Sequence, residues 1–227
     1  MFQPLVAAIP ELLHCSSTQY MRLVREPPIG NVIPDLLIGM WDRELPSRMD
    51  FTNVARHILA LLQREGDNTV GRERLEADLF LSPYAAERGV DQLRRAGAVA
   101  VLDSGELRAA PQFATSAFRL IAVEMKMRRW REALSQATAY LQFVDESYVV
   151  LDGNQVTIGK DLVREFELSP VGLLVQKGYS VEKLVDAVPS ELLPSADRLH
   201  AIQKLAISGP HCLTYCCQVL NTSNHTR

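Results

Sequence analysis

The chain has 227 residues, enough for one large domain or two small ones. Hydrophobic residues make up 47% and charged residues 22%, a balance that excludes a disordered chain. The net charge of −3 excludes a global basic field, so any nucleic-acid contact has to come from local basic clusters.

Four cysteines, Cys15, Cys212, Cys216 and Cys217, form no CxxC pair and have no histidine cluster at zinc-site spacing. Reduced thiols in a cytoplasmic protein are the expectation. The start lacks the basic end and apolar core of a signal peptide. No apolar run reaches the ~18 residues of a membrane span.

In chain order, residues 4–17 predict a short helix broken by Pro10, and residues 19–26 a strand. Pro27, Pro28, Gly30 and Asn31 make a turn. Residues 32–40, VIPDLLIGM, form an apolar run of the length and boundaries of a doubly buried strand. Asp35 interrupts it, and a carboxylate there needs a cation, a salt bridge or an exposed strand end to compensate it. After a polar linker the texture changes. Residues 51–65 carry apolar side chains at amphipathic-helix spacing, and residues 70–80 predict a second short helix. Ser82 caps a third helix with Pro83 at its first position, closed by Gly97. A small hairpin follows over 98–102 and 106–109. Three helices and a hairpin make the order of a winged helix.

Beyond Pro111 the texture reverts. Residues 117–123 predict a strand that runs through Glu124-Met125-Lys126 into a helix over 128–143. A strand over 147–151, a helix over 161–166, a hairpin over 171–185 and a helix over 199–207 complete the pattern. The polar C-terminal end predicts fraying. Trp130 and Tyr140 read as packing residues, and His57 as structural.

A strand bearing Pro34-Asp35, a strand bearing Glu124-x-Lys126 and a following helix carrying Gln136 resemble the PD-(D/E)XK, or restriction-endonuclease-like, nuclease superfamily. The run ALSQATAY is similar to the glutamine-bearing helix, with a tyrosine nearby, of several branches. The resemblance covers roughly residues 1–42 and 116–188. It implies an α/β fold: a restriction-endonuclease-like mixed-sheet core with helices on both faces, over 1–45 and 112–227, interrupted by the winged helix over 46–111.

The resemblance also implies a Mg²⁺ (or Mn²⁺) site held by Asp35, Glu124 and the Met125 carbonyl, with Glu11 as the acidic helper from the first helix and Glu26 as its rival. The chemistry suits these residue types, because a hard cation takes oxygen ligands and draws charge off a phosphate. Glu124 and Lys126 are two apart, so on a strand both point to one face. Lys126 would orient water or stabilise developing charge, and Gln136 would hold a water or a ligand carboxylate. Arg128, Arg129 and Arg131 crowd the helix start, where DNA phosphates would pass. In the winged helix, Tyr84, Arg88, Arg94, Arg95 and Arg108 are the candidate DNA contacts.

The expected function is a metal-dependent deoxyribonuclease acting on DNA, and a homodimer would supply the two active sites that cutting both strands of a duplex usually needs. The rivals are a non-catalytic DNA-binding or docking protein on a nuclease-like scaffold, and a winged-helix assembly module.

Overall fold

The structure, a computed structural model, describes residues 2–16, 19–42, 49–207 and, for the main chain, 212–216. It divides into two compact units. The first comprises Met1–Arg43, Arg119–Leu192 and Gly209–Arg227; the second comprises Glu44–Phe118 and Leu193–Ser208.

The first unit is a mixed seven-stranded sheet with helices on both faces. Its elements are α1 (Phe2–Leu12), β1 (Tyr20–Arg25) and β2 (Leu36–Trp41) before the other unit intervenes. The second unit opens with α2 (Asn53–Arg64), α3 (Arg72–Asp78), α4 (Pro83–Ala96), β3 (Val99–Val101) and β4 (Leu107–Ala109). The chain then returns to the sheet through β5 (Phe118–Lys126), α5 (Trp130–Tyr140), β6 (Glu146–Asp152), α6 (Lys160–Glu167), β7 (Gly172–Lys177) and β8 (Ser180–Val185). α7 (Ala196–Ala206) belongs to the second unit, and β9 (Cys212–Cys216) to the sheet.

The strand order is β8-β7-β6-β5-β2-β1-β9. β5, β6 and β7 are parallel, whereas β1 runs antiparallel to β2 and β9, and β8 to β7. Side-chain alternation divides the sheet. Met21, Leu23, Ile38, Met40, Ile121, Val123, Tyr148 and Val150 form one apolar face with Leu5, Val6, Ile9 and Leu13 from the α1 segment. The cations of Arg119 and Lys183 hold the last carbonyls of that segment, on Leu13 and Leu12, at 3.0 and 3.3 Å. Even-numbered residues of β5, Glu124 and Lys126 among them, therefore point to the opposite face. α5 packs beside β6.

Four details differ from the sequence-based expectations. Pro10 does not break α1, because the buried Leu5, Val6 and Ile9 hold the helix to the sheet and it ends only two residues later. β2 starts after Asp35, so the aspartate stands at a half-buried strand entry rather than inside the apolar run. Val70 is no part of a helix. It pairs with Leu107 as an isolated β-bridge beside the hairpin. The segment 193–208 was expected in the sheet core, yet it packs into the second unit.

There α7 lies against α2 and is fastened by buried polar groups. The Arg198 guanidinium donates to the carbonyls of Phe118 (2.8 Å) and Thr115 (3.3 Å). Gln203 accepts from the Phe51 amide and donates to Asp50. The rest of the unit follows its sequence signals closely. Ser82 accepts from the Ala85 amide at 3.3 Å, and Gly97 closes α4 at φ +72°. Gly89 lets α4 sit against α2, since a Cβ there would lie 2.6 Å from Ile58 Cδ1.

Candidate functional site

Asp35 and Glu124 are 89 positions apart in sequence (124 − 35), and the fold brings their segments together. β2 neighbours β5 in the sheet. The Met125 amide donates to Asp35 Oδ2 at 2.6 Å, which fixes the aspartate against the Glu-x-Lys strand. Glu124 is 2% exposed. A carboxylate this deep needs donors, and it has two. Lys126 Nζ lies 2.6 Å from its Oε1, and the Tyr140 hydroxyl donates to its Oε2 at 2.6 Å. The same hydroxyl lies 3.4 Å from the Ile33 carbonyl, two residues before Asp35. Tyr140 thus ties the entry of β2 to the acid of β5.

The electrostatics of this cluster keep its donors protonated. Burial by itself would lower the Lys126 pKa, but the hydrogen bond and charge of Glu124, with Asp35 and Glu132 behind it, raise it above its ordinary value. Burial raises the Tyr140 pKa, and Glu124 and Asp35 raise it further. Lys126 is therefore an ammonium and Tyr140 a neutral phenol across the physiological range. Asp35 acts on both groups, so the four side chains form one electrostatic unit.

Gln136, on α5, is half-buried, and its Oε1 is buried without a hydrogen-bond partner among the described residues. An orphaned acceptor of this kind is costly unless something outside the chain satisfies it. The Asp35 and Glu124 carboxylates and the Met125 carbonyl are hard oxygen donors, which suit Mg²⁺ or Mn²⁺ rather than a thiolate-loving metal; among the described residues no hydrogen bond joins the Gln136 amide oxygen to them.

Glu11 does not join them. It is exposed on α1, the helix that covers the opposite face of the sheet. Glu26 comes nearer through its backbone, whose N–H donates to the Asp35 carbonyl at 3.1 Å, but its side chain is exposed. It sits at φ +47°, a left-handed conformation unusual for a glutamate. Among the described residues no three His, Cys, Asp or Glu side chains gather as a metal-binding group.

The three arginines at the start of α5 have separate fates. Arg129 pairs with Glu132 at 2.8 Å, and Arg131 lies over the Trp130 ring, 4.1 Å from its centroid. Arg128 donates to Gln155 Oε1 at 2.8 Å. In the second unit, Arg94 and Arg95 both reach Asp91, at 3.3 and 3.5 Å, and Arg88 lies over Tyr84 at 5.7 Å. Tyr84, Arg88, Asp91, Gln92 and Arg95 line an open cleft of ≈ 510 Å³ beside the start of α2. Arg108 is exposed on β4.

Sequence reasoning treated Tyr140 as packing and missed Gln155. Tyr140 is buried as a packing residue would be, but its hydroxyl serves Glu124. Gln155 lies in a turn whose sequence carries no chemical pattern.

Among the described residues no helix is long and apolar enough to cross a membrane. No family model matches the chain, and no curated protein matches it. A solved structure titled as a protein of unknown function from Silicibacter pomeroyi, SPO1766, is 22% identical over 53% of this chain and 80% of that one, with a TM-score of 0.29. That score is too low to equate the two folds.

Proposed function

We propose that the chain is a metal-dependent deoxyribonuclease of the PD-(D/E)XK type, with the winged helix helping to position DNA. The observation that carries this reading is the 2.6 Å bond from the Met125 amide to Asp35 Oδ2. It seats the aspartate that immediately precedes β2 beside the Glu124 and Lys126 of β5, on the face that bears the Gln136 helix. The restriction-endonuclease-like core is part of the same proposal. It is supported by an Asp at the entry of β2 and a glutamine helix straight after β5; the second unit inserted between β2 and β5 departs from the family pattern.

Asp35, Glu124 and the Met125 carbonyl would hold Mg²⁺ or Mn²⁺. When bound, the cation would withdraw charge from the phosphate and lower the pKa of an attacking water. Lys126 is already protonated, so it orients water or neutralises developing charge rather than removing a proton. Tyr140 holds Glu124 in one rotamer through its hydroxyl. Gln136 offers an acceptor for a water proton.

The decisive experiment is cleavage of supercoiled plasmid and of single-stranded DNA with Mg²⁺ or Mn²⁺. Metal-dependent cutting by the wild type should vanish in Asp35→Ala and Lys126→Ala. Retention in both variants would sink the site assignment.

One observation favours a second reading, a DNA-binding protein that keeps the scaffold without cutting. Glu124 is already neutralised by Lys126 at 2.6 Å. On that reading the ion pair is permanent, and titration with Mn²⁺ gives no binding that Asp35→Ala abolishes.

A further inference from the structure

We propose that the cleft at the carboxyl end of β5 is a phosphate seat, in which Arg128, oriented by Gln155, binds a DNA phosphate beside Asp35, Glu124 and Lys126. This rests on the nuclease reading and adds to it a positioning residue, Gln155, and a single arginine out of three. The cleft has a volume of ≈ 360 Å³ and is lined by Lys126, Met127, Arg128, Arg129 and Gln155. It opens where parallel strands end, the usual place for ligands in open α/β sheets.

Charge accounting selects Arg128. Glu132 pairs with Arg129, and Arg131, over the Trp130 ring, is not among the residues lining the cleft. Lys126 pairs with Glu124. Arg128 is held by the neutral amide oxygen of Gln155, with no carboxylate partner among the described residues. Its positive charge is therefore oriented but not cancelled. One Nη2 bond to Gln155 leaves the other guanidinium donors for a phosphate, the acceptor geometry that the arginine fork suits.

The backbone at Gln155 is fixed, while its side chain is exposed. It sits in the turn after β6, where the Gln155 and Val156 amides both donate to the Asp152 carbonyl, at 2.9 and 3.0 Å. The Asn154 amide donates to Asp152 Oδ1 at 2.9 Å, and Gly153 bonds the Gln176 carbonyl at 2.8 Å. Lys177 and Val175 crowd Gly153 so closely that a Cβ there would lie 2.8 Å from each. A turn held this way can act as a fixed stop for the arginine. β6 is paired to β5 at Lys126 and Leu151, so the stop stands beside the end of the Glu-x-Lys strand.

The same chemistry could come from an internal phosphodiester or from a terminal phosphate monoester. The test separates them by titrating the full chain, in EDTA, with a short fluorescent single strand carrying a 5′-phosphate, a 3′-phosphate or neither. Arg128→Ala and Gln155→Glu, which would cancel the charge, should each weaken binding about tenfold or more. Each should also lower the slope of log affinity against log salt by about 0.7, one phosphate contact on a single strand. A purely structural role would move thermal stability and leave that slope unchanged. Loss on all three strands assigns an internal diester; loss on one end-phosphorylated strand assigns a monoester. Wild-type affinity and slope in both variants, or no binding by the wild type, would overturn the phosphate seat. Cleavage with Mg²⁺ is scored separately. Cutting that survives with unaltered KM in both variants removes the seat and leaves the nuclease. Arg128-dependent binding without any cutting removes the nuclease and leaves the seat.

Discussion

The two units treat charge in opposite ways. The sheet unit buries acids and gives them side-chain partners: Glu124 meets Lys126 and Tyr140, and Glu146 meets Arg119 and Tyr148. The second unit keeps its acid–base pairs on the surface, as in Arg74 with Glu65 and Asp78, or Arg94 and Arg95 with Asp91. Its buried cation, Arg198, ends on backbone carbonyls and serves to fasten α7. Surface pairs contribute little to stability, whereas a buried acid is tolerated only with matched donors. The contrast teaches that the acids worth testing for chemistry are those the fold has gone to the expense of enclosing.

The largest effect should come from the enclosed cluster. Asp35→Ala and Lys126→Ala are each expected to reduce metal-dependent cleavage by about a hundredfold or more, measured in single-turnover assays. If surface-unit substitutions hurt cleavage more, the contrast breaks. Next, Glu124→Ala strands the Tyr140 hydroxyl and the Lys126 ammonium together. A loss of about 2–3 kcal/mol in urea unfolding is expected, below the figure for a fully buried pair because Lys126 keeps some solvent access.

The pH response should split by unit. In the sheet unit Lys126, Tyr140 and Tyr148 all have raised pKa values, the tyrosines mainly through burial, then through Glu124 and Glu146. A raised folded value gives stability that is complete below the unfolded pKa and is lost as pH rises through the folded one. Alkali above about pH 10 should therefore loosen the sheet unit. In the second unit, burial, with Arg56 and Lys204 nearby, pushes His200 down to about 4. Its depressed value gives stability present above pH 6.5 and lost as pH falls toward 4. Melting curves of the wild type and His200→Gln should diverge in that acid window and nowhere else.

The smallest effect belongs to the surface. Asp91→Ala removes the partner of both Arg94 and Arg95, yet stability should change by only about 0.5 kcal/mol. The same variant frees two arginines on α4. Tighter DNA binding by it in a filter assay would support a nucleic-acid role for the second unit, and unchanged binding would count against one.

Much of this was legible in the chain. The three helices and hairpin followed from apolar spacing, the Ser82-Pro83 start and the Gly97 stop, all local signals. The Glu124-x-Lys126 pair was legible because strand alternation puts both side chains on one face. The sequence by itself therefore determined the first three helices and the hairpin of the second unit, though not every boundary, and which residues could supply oxygen donors. Only the tertiary structure decided which of them meet. Glu11 was lost to the site because alternation along β5 sets α1 and Glu124 on opposite faces. Asp35 reached it through a hydrogen bond across 90 positions, between strands whose adjacency no local pattern encodes. Tyr140 and Gln155 acquired their roles, and α7 its place, the same way. A hydroxyl, an amide or a helix face takes its partner from whatever the packed chain sets against it.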